Sequence, residues 1–212
     1  MIKAVLFDMD GVLIDAKEWH YEAFNSALSL FGLAITKFDH LRTFDGLPTK
    51  EKLKILSETT YLPESLHKFL NQVKQKYTMK LIHEHCKPMF HHEYCLSRLK
   101  REGYKLAVCS NSIRNTIETM MQYASLLQYL DLIVSNEDVV RSKPDPEMYI
   151  CAIKKLGLRP EECLIVEDNI NGIKAARASG AHVLQVSTVQ EVNYLNISNK
   201  ISECESKEMV HG

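Results

Sequence analysis

The run Val5-Leu6-Phe7-Asp8-Met9-Asp10-Gly11-Val12-Leu13-Ile14-Asp15 sets three carboxylates within eight residues of otherwise apolar chain. Carboxylates avoid buried strands unless they are paired or hold a metal ion, so this chain must fold in a way that offsets their charge. Ile2, Ala4, Val5, Leu6 and Phe7 read as a buried strand. Asp8 then falls at the strand's C-terminal end, where open parallel α/β sheets keep their ligand crevice. Asp10 lies two residues on, on the same side of an extended segment, and Gly11 permits the tight exit that follows. The pattern points to a magnesium and phosphate site centred on Asp8.

At 212 residues the chain suits one large or two small domains with a sizeable core. Lys and Arg total 26 against 27 for Asp and Glu, a formal charge of −1. That balance favours neither nucleic acid nor an anionic membrane as partner, so any phosphate preference is local. The six cysteines, Cys86, Cys95, Cys109, Cys151, Cys163 and Cys204, lie far apart without a C-x-x-C and read as reduced thiols of a cytoplasmic protein. The N-terminal apolar run, broken by Asp8 and Asp10, suits neither a signal peptide nor a membrane span. Oligomeric state is not legible in the sequence, and a monomer is compatible with it.

Trp19, Ala23, Phe24, Ala27, Leu28, Leu30 and Phe31 recur at helical steps up to Gly32. A short helical stretch follows around Leu41 to Phe44, and Thr49 is the expected N-cap of the next helix. Pro63 is expected to start a long helix through Ile82. From residue 16 to 85 no strand pattern occurs, and a crossover of that length reads as an inserted all-helical subdomain. After Pro88 helices and strands alternate, with strands expected at 105–109, 132–134, 164–166 and 182–186. Ser112 is the expected cap of the helix that follows residue 111, and residues 187–212 read as a polar, weakly periodic, partly frayed tail. The fold class is therefore α/β, a Rossmann-like parallel sheet core (1–15 and 86–212) with a helical insert (16–85).

Each strand end delivers polar groups: Asp8 and Asp10, then Ser110 and Asn111, then Glu167 and Asp168. Lys143 sits in Arg141-Ser142-Lys143-Pro144-Asp145-Pro146, a loop constrained by its prolines. Right-handed crossovers in a parallel sheet bring all these ends to one edge. Oxygen donors without an imidazole favour Mg2+ over zinc, while a hydroxyl, an ammonium and loop amides suit phosphate oxygens.

Phe7-Asp8-Met9-Asp10-Gly11-Val12-Leu13, Cys109-Ser110-Asn111-Ser112, Ser142-Lys143-Pro144-Asp145-Pro146 and Val166-Glu167-Asp168-Asn169 resemble the four motifs of the haloacid dehalogenase-like hydrolase superfamily. More narrowly, residues 1–187 resemble its β-phosphoglucomutase-like phosphatases with a helical cap. The resemblance implies Asp8 as nucleophile forming an aspartyl-phosphate and Asp10 as general acid, then base. It implies Ser110, Asn111 and Lys143 around the phosphoryl group. It further implies Mg2+ held by Asp8, Asp168 and the Asp10 carbonyl, with Glu167 joining directly or through water. The insert would be a mobile cap that selects a small phosphorylated substrate, a sugar phosphate first among classes. Two alternatives stand beside this phosphatase: a β-phosphoglucomutase-type isomerase with the same core, and a phosphorylatable regulatory module without turnover, as in the receiver domains of response regulators.

In the cap, His20 matches the place where mutase-type members carry a His facing the acid/base Asp, and a solvent-facing helix His is the bland reading. Thr49, with Lys50 beside it, stands where sugar-phosphate mutases present an Arg, which weakens the mutase reading. Lys74, Lys76 and Lys80 are further candidates for substrate contact, and a solvated helix face accounts for them equally well. His83, His85, Cys86, His91 and His92 are enough groups for a zinc site but lack a metal-binding spacing, so a polar surface is the better reading. Cys109 beside Ser110 reads as a buried strand thiol and not a nucleophile.

Overall fold

The computed structural model describes residues 1–211. Its contacts divide into two compact units, Met1–Asp15 with the chain from Lys87 onward, and Ala16–Cys86.

The first unit is built on a five-stranded parallel sheet: β1 (Ala4–Phe7), β2 (Lys105–Cys109), β3 (Leu132–Val134), β4 (Cys163–Glu167) and β5 (His182–Gln185). The spatial order is β3-β2-β1-β4-β5. From β1 the chain winds outward to one side through β2 and β3, then returns to the other through β4 and β5. β1 therefore lies at the topological switch point, where such sheets open a crevice at their carboxyl ends. Strands buried on both faces need continuous apolar runs, and β1 with its sequence AVLF is buried throughout. Ala4, Leu6, Ala107, Cys109, Cys163 and Ile165 line one face, packed with Met148, Tyr149 and Ala152 and with Ala175 and Ala176. Those partners come from α7 (Glu147–Lys155) and α8 (Ile170–Ala178).

The remaining helices of this unit are α5 (Phe90–Arg101), α6 (Arg114–Tyr123) and α9 (Tyr194–His211). Two expectations are corrected here. Ser112 does not cap α6; Ile113 holds the N-cap position, and Glu137 Oε2 accepts the Arg114 amide at 2.7 Å. The tail is not frayed across residues 194–206 either. Ile197, Ile201 and Cys204 bury one side of α9, which packs on α5; the last residue, Gly212, lies outside the described residues.

The second unit comprises α1 (Lys17–Ser29), α2 (Lys37–Asp39), a π-helical turn His40–Phe44, α3 (Thr49–Thr60) and α4 (His67–His85). Phe24, Leu28, Phe44, Leu53, Leu56 and Leu70 form its core, the product of the helical-period apolar positions. Thr49 is the first helical residue and not the cap: Pro48 occupies that position, with no side-chain bond. A 3-10 turn, Glu64–Leu66, separates Pro63 from α4. Among the described residues no helix is long and apolar enough to cross a membrane.

Two histidines tie folding to pH. His92, 1% exposed, donates from Nε2 to the Val189 carbonyl at 2.8 Å, and burial lowers its pKa to about 4. His40 in the helical unit is buried with neither ring nitrogen hydrogen-bonded, and burial followed by the nearby Lys52 charge lowers it to about 4. Both are neutral when folded and take up protons near pH 6.5 when unfolded. Stability is therefore fully present above pH 6.5 and falls as pH drops toward 4, each histidine adding a slope of up to about 1.4 kcal/mol per pH unit. Urea midpoints measured from pH 8 to 4 should decline below 6.5, and His92→Gln should flatten part of the decline; a flat wild-type profile would contradict these assignments.

Candidate functional site

Strand register assembles the site. Phe7 pairs with Val166 on one side and Val108 on the other, so the next residues of the three strands, Asp8, Glu167 and Cys109, sit abreast at the carboxyl edge. The Asp8 amide donates to Val166 O at 3.0 Å, extending the ladder by one step. The chain then turns sharply: Met9 O accepts the amides of Val12, Leu13 and Ile14, and Gly11 takes φ +90°, a conformation open to glycine. Asp10 is held in this turn, half-buried, bridged to Ile14.

Lys143 enters the cluster from the loop before α7. Asn111 fixes that loop by both ends of its amide: Oδ1 accepts from Lys143 N at 3.1 Å and Nδ2 donates to Lys143 O at 3.4 Å. Asn111, expected among the phosphate contacts, thus spends its side chain on the loop's main chain. The Lys143 ammonium is buried and lies 2.6 Å from Asp8 Oδ1, 2.7 Å from Glu167 Oε1, 2.8 Å from Cys109 O and 2.7 Å from the Tyr149 hydroxyl. Ser110 is buried beside them, its Oγ accepting the Ser112 amide at 3.1 Å. Glu167 Oε2 accepts the amides of Asp168 and Asn169 at 3.1 and 3.3 Å. Its carboxylate lies against Gly172, where any Cβ would collide with it, so that helical position requires glycine.

Burial raises the Asp8 carboxyl well above the usual carboxylate range; Lys143 opposes this, while Glu167, Asp168 and Asp10 add to it. Burial acts against the Lys143 ammonium, but Asp8 and Glu167 outweigh it and the lysine stays charged. One cation thus faces several carboxylates, and a second cation would relieve the excess. One oxygen each from Asp8, Glu167 and Asp168 lies within 4.8 Å of the others, which makes this the group of three that could hold a metal ion among the described residues. All donors are hard oxygens with no imidazole or thiolate, a set that fits Mg2+.

The His83, His85, Cys86, His91 and His92 stretch forms no such group. His85 stacks on Trp19 with centroids 6.1 Å apart, whereas His91 and His92 turn to Val189 O. Cys109 is fully buried, which raises its thiol to about 12 and leaves it a core residue. In the helical unit, His20 Nδ1 and Lys74 Nζ approach to 3.1 Å. Of the three lysines expected from sequence, Lys74 is buried on that face of α4, while Lys76 and Lys80 are exposed. Lys50 lines a cavity of about 590 Å³ with Lys54, His67 and Asn71, where Ser57 Oγ lies 2.7 Å from His67 Nε2. Tyr149 escaped sequence reasoning because an aromatic at helical period reads as core.

Residues 5–186 match the family model described as haloacid dehalogenase-like hydrolase. The phosphorylated carbohydrates phosphatase of Thermotoga maritima is 30% identical over 179 residues, covering 84% of this chain and 82% of the relative. The phosphoglycolate phosphatase of Nitrosospira multiformis is 28% identical over 87% of this chain and 83% of its own. Among solved structures, β-phosphoglucomutase of Clostridium difficile superposes with a TM-score of 0.83 at 24% identity, covering 96% and 98% of the two chains. CbbY of Rhodobacter sphaeroides, in complex with phosphate, gives 0.79 at 24% identity over 87% and 86%. These two share the fold.

Proposed function

The chain belongs to the haloacid dehalogenase-like hydrolases and is an enzyme of their phosphatase type, and on that premise we propose that it is a Mg2+-dependent phosphomonoesterase working through an aspartyl-phosphate. The observation that carries this reading is the buried Asp8–Lys143–Glu167 cluster beside Asp168 at the switch point of the sheet.

Asp8 Oδ attacks the phosphorus of the substrate as the ester P–O bond breaks, and Asp10 donates its proton to the departing oxygen. Water then attacks the phosphoryl group, Asp10 takes the water's proton, and the Asp8–phosphorus bond breaks to release inorganic phosphate. Ser110 Oγ and the Lys143 ammonium hold the phosphoryl oxygens throughout. Asp8, Asp168 and the Asp10 carbonyl, supported by Glu167, would hold Mg2+, which when bound neutralises charge on the transferring group. The helical unit, with His20, Thr49, Lys50 and Lys76 as candidate contacts, would act as the cap that selects a small phosphorylated substrate. The Thermotoga relative's name supports a sugar phosphate as first choice. Free cysteines support a cytoplasmic setting.

Phosphate release measured across sugar phosphates, nucleotides and phosphoglycolate should require Mg2+, vanish with chelator and return on adding the metal. Asp10→Asn should cost about 10²- to 10⁴-fold in turnover. Interconversion of phosphosugars that depends on a bisphosphate, with little net release, would decide for the isomerase. No release from any substrate would contradict the proposed reaction.

A further inference from the structure

Lys143 has three N–H donors and four acceptors within 2.8 Å, and one of those acceptors belongs to none of the four motifs. The Tyr149 hydroxyl lies 2.7 Å from Lys143 Nζ and 2.7 Å from Glu167 Oε1, in a side chain that is fully buried. A carboxylate can only accept, so the phenol donates to Glu167 and accepts from Lys143; the three groups close a hydrogen-bonded triangle. The ammonium also lies 4.6 Å from the centroid of the Tyr149 ring. Asp145 Oδ1 accepts the Glu147 amide at the start of α7, tying the helix that carries Tyr149 to the Lys143 loop.

We propose that Tyr149 is a positioning residue: its hydroxyl, bonded to both partners of the 2.7 Å Lys143–Glu167 ion pair, fixes the orientation of that pair, keeping the ammonium aimed at Asp8 and the Glu167 carboxylate beside Asp168. The role in turnover rests on the phosphatase reading above. Without the hydroxyl, Glu167 Oε1 loses a donor and Lys143 an acceptor, and the ion pair keeps its contact but loses the bonds that fix its orientation. The ammonium then turns away from Asp8, and Glu167 rotates relative to Asp168.

Tyr149→Phe keeps the ring and its packing and removes the hydroxyl. In the full chain kcat should fall about 10- to 100-fold, with KM changed less than about threefold, because Tyr149 binds no part of the substrate. Calorimetry with Mg2+ alone should show about tenfold weaker binding. Wild-type kcat and Mg2+ affinity in a folded Tyr149→Phe chain would overturn the proposal, as would a kcat loss accompanied by unchanged Mg2+ affinity and a matching loss of folded protein. The wild-type chain supplies a check that needs no variant. Its Lys143 ¹⁵Nζ signal should exchange slowly with water and show contacts to the Tyr149 ring, and a rapidly exchanging ammonium without those contacts would overturn the proposal. A wild-type chain that releases no phosphate defeats the phosphatase reading alone, since the Mg2+ titration and the ammonium signal still decide the role of Tyr149.

Discussion

Asp8→Asn should abolish phosphate release, lowering kcat by about 10⁴-fold or more, while the chain still folds. An amide has the shape of the carboxylate but too little nucleophilicity to displace an ester oxygen, so the two-step route closes. The fold should tolerate the change because Lys143 keeps Glu167 as counter-ion at 2.7 Å and the Asp8 amide still joins the ladder through Val166 O. The substitution also removes one charge from the crowded acid cluster. Phosphate assay beside thermal unfolding separates the two effects. Retained turnover in a folded Asp8→Asn chain would move the nucleophile elsewhere, to Ser110 first.

Lys143→Met should be the most damaging single change to stability in metal-free buffer. The lysine is 4% exposed and is the cation that meets both Asp8 and Glu167. Removing one partner of a buried ion pair costs about 3–5 kcal/mol, because the remaining charge is left uncompensated. For a chain of this size that corresponds to a melting temperature lower by roughly 6–20 °C. Asp8 or Glu167 can escape part of the cost by taking a proton, which favours the lower end. Added Mg2+ should raise the variant's melting temperature more than the wild type's, since ligand bound to the folded state stabilises it by mass action and here also relieves repulsion. Differential scanning calorimetry with and without Mg2+ checks both statements. An unchanged metal-free melting temperature would mean that the ion pairs do not stabilise the folded state.

The core was readable because parallel strands at the centre of a sheet advertise themselves as short apolar runs, and because polar groups that end such runs are dictated by chemistry and not by packing. Asp8, Ser110 and Glu167 follow from that logic, and register brings their strand ends abreast, while Lys143 enters from the proline-bounded loop before α7. Tyr149 did not follow, since nothing local distinguishes a buried phenol that bridges two ions from one that fills a core. Helix phase separates the three candidate lysines of α4: Lys74 is on its buried face, while Lys76 and Lys80 are exposed, a difference that charge alone does not reveal. The α9 helix was obscured by its polarity, for Ile197, Ile201 and Cys204 supply a narrow stripe on an otherwise solvated segment. Caps failed for a further reason: Thr49 and Ser112 have the right side chains, yet Pro48 and Ile113 take the extended backbone that a helix start requires.

The central claim is that Asp8 carries the phosphoryl group in mid-reaction. Acid-quenching the enzyme during turnover and mapping peptides by mass spectrometry should find one phosphoryl group on Asp8, released by hydroxylamine as an acyl phosphate is. Label on Ser110 or another residue, or no covalent phosphate while turnover proceeds, would contradict it.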